Sequence, residues 1–140
     1  MKNSEGIEQK LLERIKLCKL SPPQRRSLPF ECYWEDSVFI QEQKLIFANQ
    51  WLGLGRADRL ELPGEYEVFE LCGQTLLLIR DQDKILRLYA NTCRHRGSKL
   101  LDGKGQCQVI SCPFHGWTYA LDGSLKFAKT MSENSNFDFS

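Results

Sequence analysis

The chain contains only two histidines, and each lies within three residues of a cysteine. Cys93 and His95 form a C-x-H pair, and Cys112 and His115 form a C-x-x-H pair, with residues 96–111 between them. Thiolate and neutral imidazole are the side chains that bind zinc, iron and other borderline or soft metals. The types and spacing of these four residues therefore predict a metal centre built from two short loops.

Two kinds of centre are compatible with this set of ligands. In a binuclear iron–sulfur cluster the two cysteines bind one iron and the two histidines the other, which raises the reduction potential to roughly −150 to +300 mV. In a structural zinc site all four bind one ion. Gly97 and Gly116 follow the two pairs and permit backbone N–H groups to approach cluster sulfurs, while Pro113 stiffens the second loop. The order of the pairs and these glycines favour the cluster.

A helical segment is expected before the loops. Apolar residues recur at helical spacing from Ile7 to Cys18, and a second helix is predicted from about Ser37 to Ala48, capped by Asp36 or Ser37. We therefore assign residues 1–50 to a helical N-terminal extension.

From Trp51 the pattern changes to short apolar runs separated by turn residues, which predicts antiparallel strands and hairpins. The predicted strands are Trp51–Leu54, Tyr66–Leu71, Thr75–Arg80, Ile85–Ala90, Gln108–Ser111, Trp117–Ala120 and Ser124–Phe127. Residues 51–128 are thus predicted to form a β domain, and residues 129–140 a flexible tail.

Composition excludes some partners. The 140 residues include 19 Lys and Arg against 18 Asp and Glu, so no broad positive field favours nucleic acid or an anionic membrane. The N-terminus lacks the apolar run of a signal peptide, and the longest uncharged stretch, Gly105–Leu121, is interrupted by polar residues and Pro113. These features predict a soluble, cytoplasmic protein.

Two segments carry a family resemblance. Asn91–Leu101 and Cys112–Leu125 resemble the Rieske [2Fe–2S] domain of ring-hydroxylating oxygenase α-subunits and related Rieske monooxygenases, and Glu42–Gly64 is similar to the lead-in of those subunits. The resemblance covers about Asp36–Phe139. It implies a mainly β fold, a Rieske-type antiparallel β-sheet sandwich with two cluster-binding loops, preceded by the helical extension. It also implies a Rieske-type [2Fe–2S] cluster as cofactor.

The same resemblance implies redox partners. A reductase or ferredoxin is expected to donate an electron to the cluster, and a mononuclear iron in an oxygenase domain or subunit is expected to accept it. Many members of the family are trimers, so a homo-oligomer is expected.

Three positions differ from the respiratory branch of Rieske proteins. That branch has a disulfide between two further loop cysteines, where this chain has Ser98 and Phe114, and a serine where this chain has Trp117. Loss of that serine hydroxyl leaves the reduced cluster less stabilised, so the potential is predicted in the lower part of the Rieske range.

The mononuclear iron of these oxygenases needs two further histidines and a carboxylate, whereas His95 and His115 are both committed to the cluster. The 140 residues are therefore not a complete hydroxylase. They are either a Rieske-only protein or the Rieske part of a longer oxygenase. A non-redox module stabilised by zinc is the alternative from another functional class.

The roles of some neighbouring residues stay open at this stage. Arg94 and Arg96 are either solvated loop charges or groups that dock an electron donor or tune the cluster. Trp117 and Tyr119 are expected either to pack beneath the cluster as core residues or, in the case of Tyr119, to donate a hydrogen bond to a cluster ligand. The remaining cysteines are predicted to be free thiols: Cys18, Cys32, Cys72 and Cys107.

Overall fold

The computed structural model describes residues 4–129 and Met131. The chain divides into two compact units between Leu52 and Gly53. No helix among the described residues is both long enough and apolar enough to cross a bilayer.

The first unit is helical, as its pattern predicts. Helix α1 spans Ser4–Lys16 and α2 spans Asp36–Leu45. Short 3₁₀ turns lie at Leu17–Lys19, Phe30–Tyr33 and Phe47–Asn49. An ion pair between Arg14 Nη1 and Glu31 Oε1, 2.6 Å long, joins α1 to the second of these turns.

The predicted limits of the second helix were partly wrong. Asp36 is the first residue of α2 instead of its cap; Glu35 precedes the helix, and its side chain makes no capping hydrogen bond. The α-helix ends at Leu45 because Ile46 departs from helical geometry, with φ −108° and ψ −70°. The rest of the predicted helix forms the 3₁₀ turn at Phe47–Asn49.

The second unit contains two antiparallel sheets. The strands of the larger sheet are β1 Glu65–Leu71, β2 Gln74–Arg80, β3 Leu86–Ala90 and β4 Lys104–Gln106. Those of the smaller sheet are β5 Ile110–Ser111, β6 Thr118–Tyr119 and β7 Leu125–Phe127. The larger sheet has the strand order β3-β2-β1-β4, and the smaller has the order β5-β6-β7. The mainly β, antiparallel fold predicted from the sequence is confirmed.

Two predictions about strands were wrong. Trp51–Leu54 forms no strand, because Trp51 is fully exposed and no described segment pairs with this stretch. The strand β4 was not predicted; it pairs with β1 through Tyr66 opposite Gly105. A Cβ at Gly105 would lie 2.9 Å from the Tyr66 hydroxyl, so this pairing requires a glycine. Because glycine has no apolar side chain, the sequence pattern gave no strand signal at this position.

One buried cluster combines residues of both sheets with residues of the loops. It is formed by Leu77, Ile79, Cys93, Ile110, Cys112, Trp117, Tyr119, Leu121 and Ala128. Both cysteines of the predicted site belong to it. The core of this unit and the candidate centre are therefore one packed region.

Candidate metal centre

The two ligand-bearing loops are built on the same backbone frame. In the first, Gly97 N–H donates to Cys93 O (2.9 Å) and Cys93 N–H donates to Ser98 O (2.7 Å). In the second, Gly116 N–H donates to Cys112 O (3.0 Å) and Cys112 N–H donates to Trp117 O (2.8 Å). Both glycines have a left-handed backbone, with φ of 72° and 69°, which a residue with a side chain adopts less readily.

The histidines occupy different positions on that shared frame. His95 is the second residue after its cysteine and His115 is the third. This offset brings the two imidazoles together, with ring centroids 4.8 Å apart and an interplanar angle of 65°. His95 also stacks on Trp117 at 4.8 Å and 3°, and His115 contacts Phe114 at 3.9 Å. The frame therefore explains why a C-x-H pair and a C-x-x-H pair converge.

The donor atoms of the four side chains fit a metal–sulfur group. The thiols of Cys93 and Cys112 are buried, with relative exposures of 2% and 3%. The Nδ1 atoms of His95 and His115 are buried and have no hydrogen-bond partner among the described residues. A buried nitrogen without a partner is costly unless something binds it. Two thiols and two such nitrogens form the donor set of an iron–sulfur centre with mixed ligands.

The four donors form two pairs of different chemistry, two thiols and two imidazoles. Within the described part of the chain, no three His, Cys, Asp or Glu side chains are grouped so that they hold one metal ion. A binuclear cluster requires only two protein donors on each iron.

The electrostatics of the two loops favour the ligand forms of these side chains. Burial opposes the Cys112 thiolate, but backbone N–H groups of His115 and Phe114 and the side chains of Cys93 and Ser98 hydrogen-bond to it, and its pKa is held below the ordinary value. Burial, followed by the charges of His115 and Arg96, lowers the pKa of His95. Thiolate and neutral imidazole are the forms that bind metal.

Tyr119 acts directly on one of the thiols. It is buried in the core, and its hydroxyl lies 3.2 Å from Cys93 Sγ. The same hydroxyl accepts a hydrogen bond from Arg94 N–H at 3.2 Å. Burial, followed by the hydrogen bond to Cys93, raises the pKa of Tyr119 to about 12. Tyr119 is therefore both a core residue and a hydrogen-bond partner of a candidate ligand.

Asn91 anchors the first loop and was not given a role from the sequence. Its side chain is almost fully buried, and its Nδ2 donates to Leu101 O at 2.7 Å. Its Oδ1 accepts from the N–H groups of Leu100 (3.3 Å) and Leu101 (3.0 Å). Asn91 thus ties both ends of the segment that carries Cys93 and His95. The only indication of this role in the sequence was a polar residue at the start of a predicted loop.

The other cysteines, Cys18, Cys32, Cys72 and Cys107, are partly buried and form no disulfide in the structure. That they bind no metal stays a prediction. Cys107 is the nearest of them in sequence to the second loop, and burial raises the pKa of its thiol. Its backbone pairs with Gly64 instead, with Cys107 N–H donating to Gly64 O at 3.0 Å.

Comparison with known proteins identifies relatives of this site. Residues 50–138 match the family model of the Rieske [2Fe–2S] domain. The oxygenase subunit of carnitine monooxygenase from Escherichia coli K12 is 34% identical over 119 residues, which are 84% of this chain and 32% of that protein. Choline monooxygenase from Spinacia oleracea is 31% identical over 120 residues, 86% of this chain and 27% of that protein. The chain spans between about a quarter and a third of the length of these curated relatives.

Solved structures give the same result. The apo form of the quaternary ammonium Rieske monooxygenase CntA matches with a TM-score of 0.72 and 36% identity, over 81% of this chain and 34% of that one. Naphthalene 1,2-dioxygenase from Rhodococcus matches with a TM-score of 0.80 and 25% identity, over 94% of this chain and 29% of that one.

Proposed function

Because the chain belongs to the Rieske [2Fe–2S] domain family, whose domains bind a [2Fe–2S] cluster, we propose that the cysteines and histidines of its paired loops are the cluster ligands. Cys93 and Cys112 bind one iron through Sγ, and His95 and His115 bind the other through Nδ1. The observation that carries this assignment is the pair of buried Nδ1 atoms without hydrogen-bond partners beside two buried thiols.

The domain serves electron transfer, since a bound Rieske cluster accepts and releases one electron at a time. The protein's own residues tune and connect that chemistry. The Tyr119 hydroxyl lies 3.2 Å from Cys93 Sγ and would donate to it when Cys93 is a ligand thiolate, which favours added negative charge there. Trp117, buried against His95, excludes water from one side of the imidazole pair. The two imidazoles are only partly buried, which provides a route for the electron to the surface.

For the whole protein, we propose the electron-entry domain of an oxygenase. A reductase or ferredoxin supplies the electron, and a mononuclear iron held outside these residues accepts it. A homo-oligomer, a trimer by family likeness, brings the two iron sites together. We also propose that the protein is cytoplasmic and that its Rieske domain comprises residues 51–128.

The names of the curated relatives support a substrate class for such an oxygenase. They are oxygenase subunits of carnitine and glycine betaine monooxygenases, and choline monooxygenases. Carnitine, glycine betaine and choline all carry a quaternary trimethylammonium group. We therefore propose a quaternary ammonium compound as the substrate.

Metal and sulfide analysis tests the ligand assignment. Protein purified without oxygen is expected to be red-brown and to contain two iron and two acid-labile sulfide per chain. Cys112→Ser is expected to lose the cluster, whereas Cys107→Ser, which removes a thiol outside the ligand set, is expected to keep it. Stoichiometric zinc in place of iron would overturn the assignment and favour the zinc-stabilised module, which the comparisons do not support.

A second variant separates loss of a ligand from loss of folding. His115→Cys keeps a metal-binding side chain but replaces an imidazole by a thiolate. It is expected to retain iron and to shift the potential towards the roughly −400 mV of clusters with four thiolates. An unchanged potential would show that His115 is not a ligand.

A further inference from the structure

The residue that follows the glycine has the same place in both loops, and in both its side chain contacts the other loop. Ser98 O accepts the N–H of Cys93 (2.7 Å), and Trp117 O accepts that of Cys112 (2.8 Å). The Trp117 ring stacks on His95 of the first loop. The Ser98 side chain hydrogen-bonds to the thiolate of Cys112 in the second loop. Each of these residues therefore holds its own loop through the backbone and contacts a proposed ligand of the opposite loop.

The backbone around Ser98 is fixed by hydrogen bonds on both sides. Thr92 and Lys99 form an antiparallel bridge across the base of the loop. The N–H of Leu100 donates to Asn91 Oδ1 at 3.3 Å. Ser98 itself is partly buried. A side chain on so restrained a backbone has its direction set by the fold, which is what a group that positions a ligand requires.

The Ser98 hydroxyl has one hydrogen and two acceptors within reach. The carbonyl oxygen of Lys99 lies 3.4 Å from Ser98 Oγ, which is longer than an ordinary O–H···O hydrogen bond. The sulfur of Cys112 is an anion when it binds iron, and hydrogen bonds to ionised acceptors are about twice as strong as those between neutral groups. With the cluster bound, the hydroxyl is therefore expected to donate to the sulfur.

We propose that Ser98 is a positioning residue of the cluster, whose hydroxyl donates a hydrogen bond across the loops to Cys112 Sγ and stabilises the reduced state. One added electron makes the thiolate ligands more negative, so a donor to a ligand sulfur favours the reduced form. The Tyr119 hydroxyl lies 3.2 Å from Cys93 Sγ, so each ligand sulfur has one hydroxyl. This proposal rests on the ligand assignment proposed above and adds a residue that tunes its potential.

A spectroscopic redox titration of the cluster-loaded protein tests the role of Ser98. Ser98→Ala is expected to lower the equilibrium constant for reduction about threefold, at the lower end of the range for one hydrogen bond because Ser98 is only partly buried. For a one-electron couple this is a fall of about 30 mV, since a tenfold change corresponds to about 59 mV. Ser98→Thr keeps the hydroxyl and is expected to keep most of the wild-type equilibrium constant.

Ser111→Ala is the matched control. Ser111 precedes Cys112 in sequence, but its hydroxyl lies 3.3 Å from Thr118 Oγ1. Removing it is expected to leave the equilibrium constant for reduction nearly unchanged. A Ser111→Ala variant with as low a constant as Ser98→Ala would overturn the role of Ser98, because loss of any hydroxyl near the loop would then be sufficient.

A double variant separates a direct hydrogen bond from an indirect effect through Tyr119. The two hydroxyls contact different sulfurs. Ser98→Ala is therefore expected to lower the equilibrium constant about threefold in the Tyr119→Phe background as well. No further decrease in that background would show that Ser98 acts only through the packing of Tyr119, and would overturn the proposal.

Electron–nuclear double resonance of the reduced cluster gives a signature that a merely structural role does not change. Samples frozen in H₂O and in D₂O identify exchangeable protons hydrogen-bonded to the cluster and its ligands. Ser98→Ala is expected to lose one such coupling, and Ser98→Thr to retain it. Identical exchangeable couplings in the wild type and Ser98→Ala would overturn the proposal.

Iron content distinguishes the remaining outcomes. Absence of the cluster from the wild-type protein would overturn the proposed function and this proposal together. Loss of the cluster from Ser98→Ala but not from Ser98→Thr would support the positioning role. Equal loss from both variants, or a fully loaded Ser98→Ala protein with the wild-type equilibrium constant, would overturn the role of Ser98 alone.

Discussion

Tyr119 is the residue whose side chain acts most directly on a candidate ligand. Its hydroxyl lies 3.2 Å from Cys93 Sγ, and its pKa of about 12 keeps it a phenol near neutral pH. A phenol donates a hydrogen bond to a ligand sulfur, and that bond strengthens when an added electron makes the sulfur more negative. Tyr119 is therefore expected to stabilise the reduced form.

Replacing Tyr119 by phenylalanine is expected to lower the reduction potential by about 40 mV. The lost hydrogen bond is worth roughly 1 kcal/mol, and a one-electron couple shifts by about 59 mV for each tenfold change in the equilibrium constant. Tyr89→Phe is the matched control, since the Tyr89 hydroxyl donates to Leu121 O at 3.2 Å. Equal potentials for the two variants in a spectroscopic redox titration would contradict this role.

At the residue scale, the sequence identified the metal-binding side chains of the site but not the residues that hold their loops in place. Residue type and spacing along the chain are local properties, and they were sufficient to single out Cys93 and His95. The role of Asn91 depends on where residues 100 and 101 return in space, and that of Ser98 on its proximity to Cys112 in the other loop. Long-range proximity of this kind has no signal in a single sequence.

At the scale of elements, the hairpins were predictable and the short edge strand was not. β2 and β3 are apolar runs on either side of a polar turn, and both lie close to their predicted ranges. β4 is formed by a Lys-Gly-Gln segment whose pairing is fixed by β1. Tertiary contact, and not local propensity, determines this strand.

Gly64 joins the larger sheet to the segment that leads into the second loop. Its φ is +84°, and a Cβ there would lie 2.1 Å from Cys107 O. Gly64→Ala is expected to destabilise the protein by about 3 kcal/mol, through the steric clash and the left-handed backbone together.

Gly73→Ala is the control for Gly64. Gly73 also has positive φ (+73°), but no atom lies within 4 Å of a Cβ added there. Its replacement by alanine is therefore expected to lower the free energy of unfolding by only about 1 kcal/mol. Urea unfolding measures both variants. Equal losses of stability would show that the contact with Cys107 does not matter.

Asp81 gives the β2–β3 hairpin a pH-dependent contribution to stability. Burial raises its pKa, but hydrogen bonds from Arg87 Nε (2.8 Å) and Ile85 N–H (2.7 Å) outweigh burial and hold the pKa below its ordinary value of 3.8. A carboxyl whose pKa is lowered in the folded state contributes its full stabilisation of the fold at pH values above its ordinary pKa. This stabilisation is lost as the pH falls through the pKa of the folded state.

The Asp81→Asn variant is therefore expected to have a lower urea midpoint at pH 7 and a flatter decline in stability below about pH 4. Asp83→Asn changes an exposed carboxyl in the same turn and serves as the control. The measurement is the urea midpoint between pH 2 and pH 7. Parallel profiles for Asp81→Asn and the wild type would contradict the assignment.

At the scale of the whole molecule, the core and the candidate site belong to the same unit. Every residue of the buried cluster lies between Leu77 and Ala128, and so do all four proposed ligands. Between residues 9 and 52 only Pro29 is buried. The sequence indicated this contrast through its change of pattern near Trp51, since helical spacing gives way there to short apolar runs. Stability is therefore expected to differ between the two units.

Limited chymotrypsin digestion tests that difference. Cleavage requires local opening of the backbone, which is least costly where few side chains are buried. The first cuts are expected at exposed aromatic residues of the first unit, such as Trp34 (61% exposed) and Trp51. Phe114 is equally exposed (63%) but lies in a loop held by backbone hydrogen bonds, so it is an internal control that is expected to resist.

The resistant fragment is expected to begin near Gly53 and to keep its red-brown colour, because its core and its proposed ligands are intact. Mass spectrometry identifies the fragment, and visible absorbance follows the cluster during digestion. Loss of colour at the rate of the first cut would show that the cluster depends on the helical unit. Early cleavage at Phe114 would show that the second loop opens independently of the core that contains Cys112.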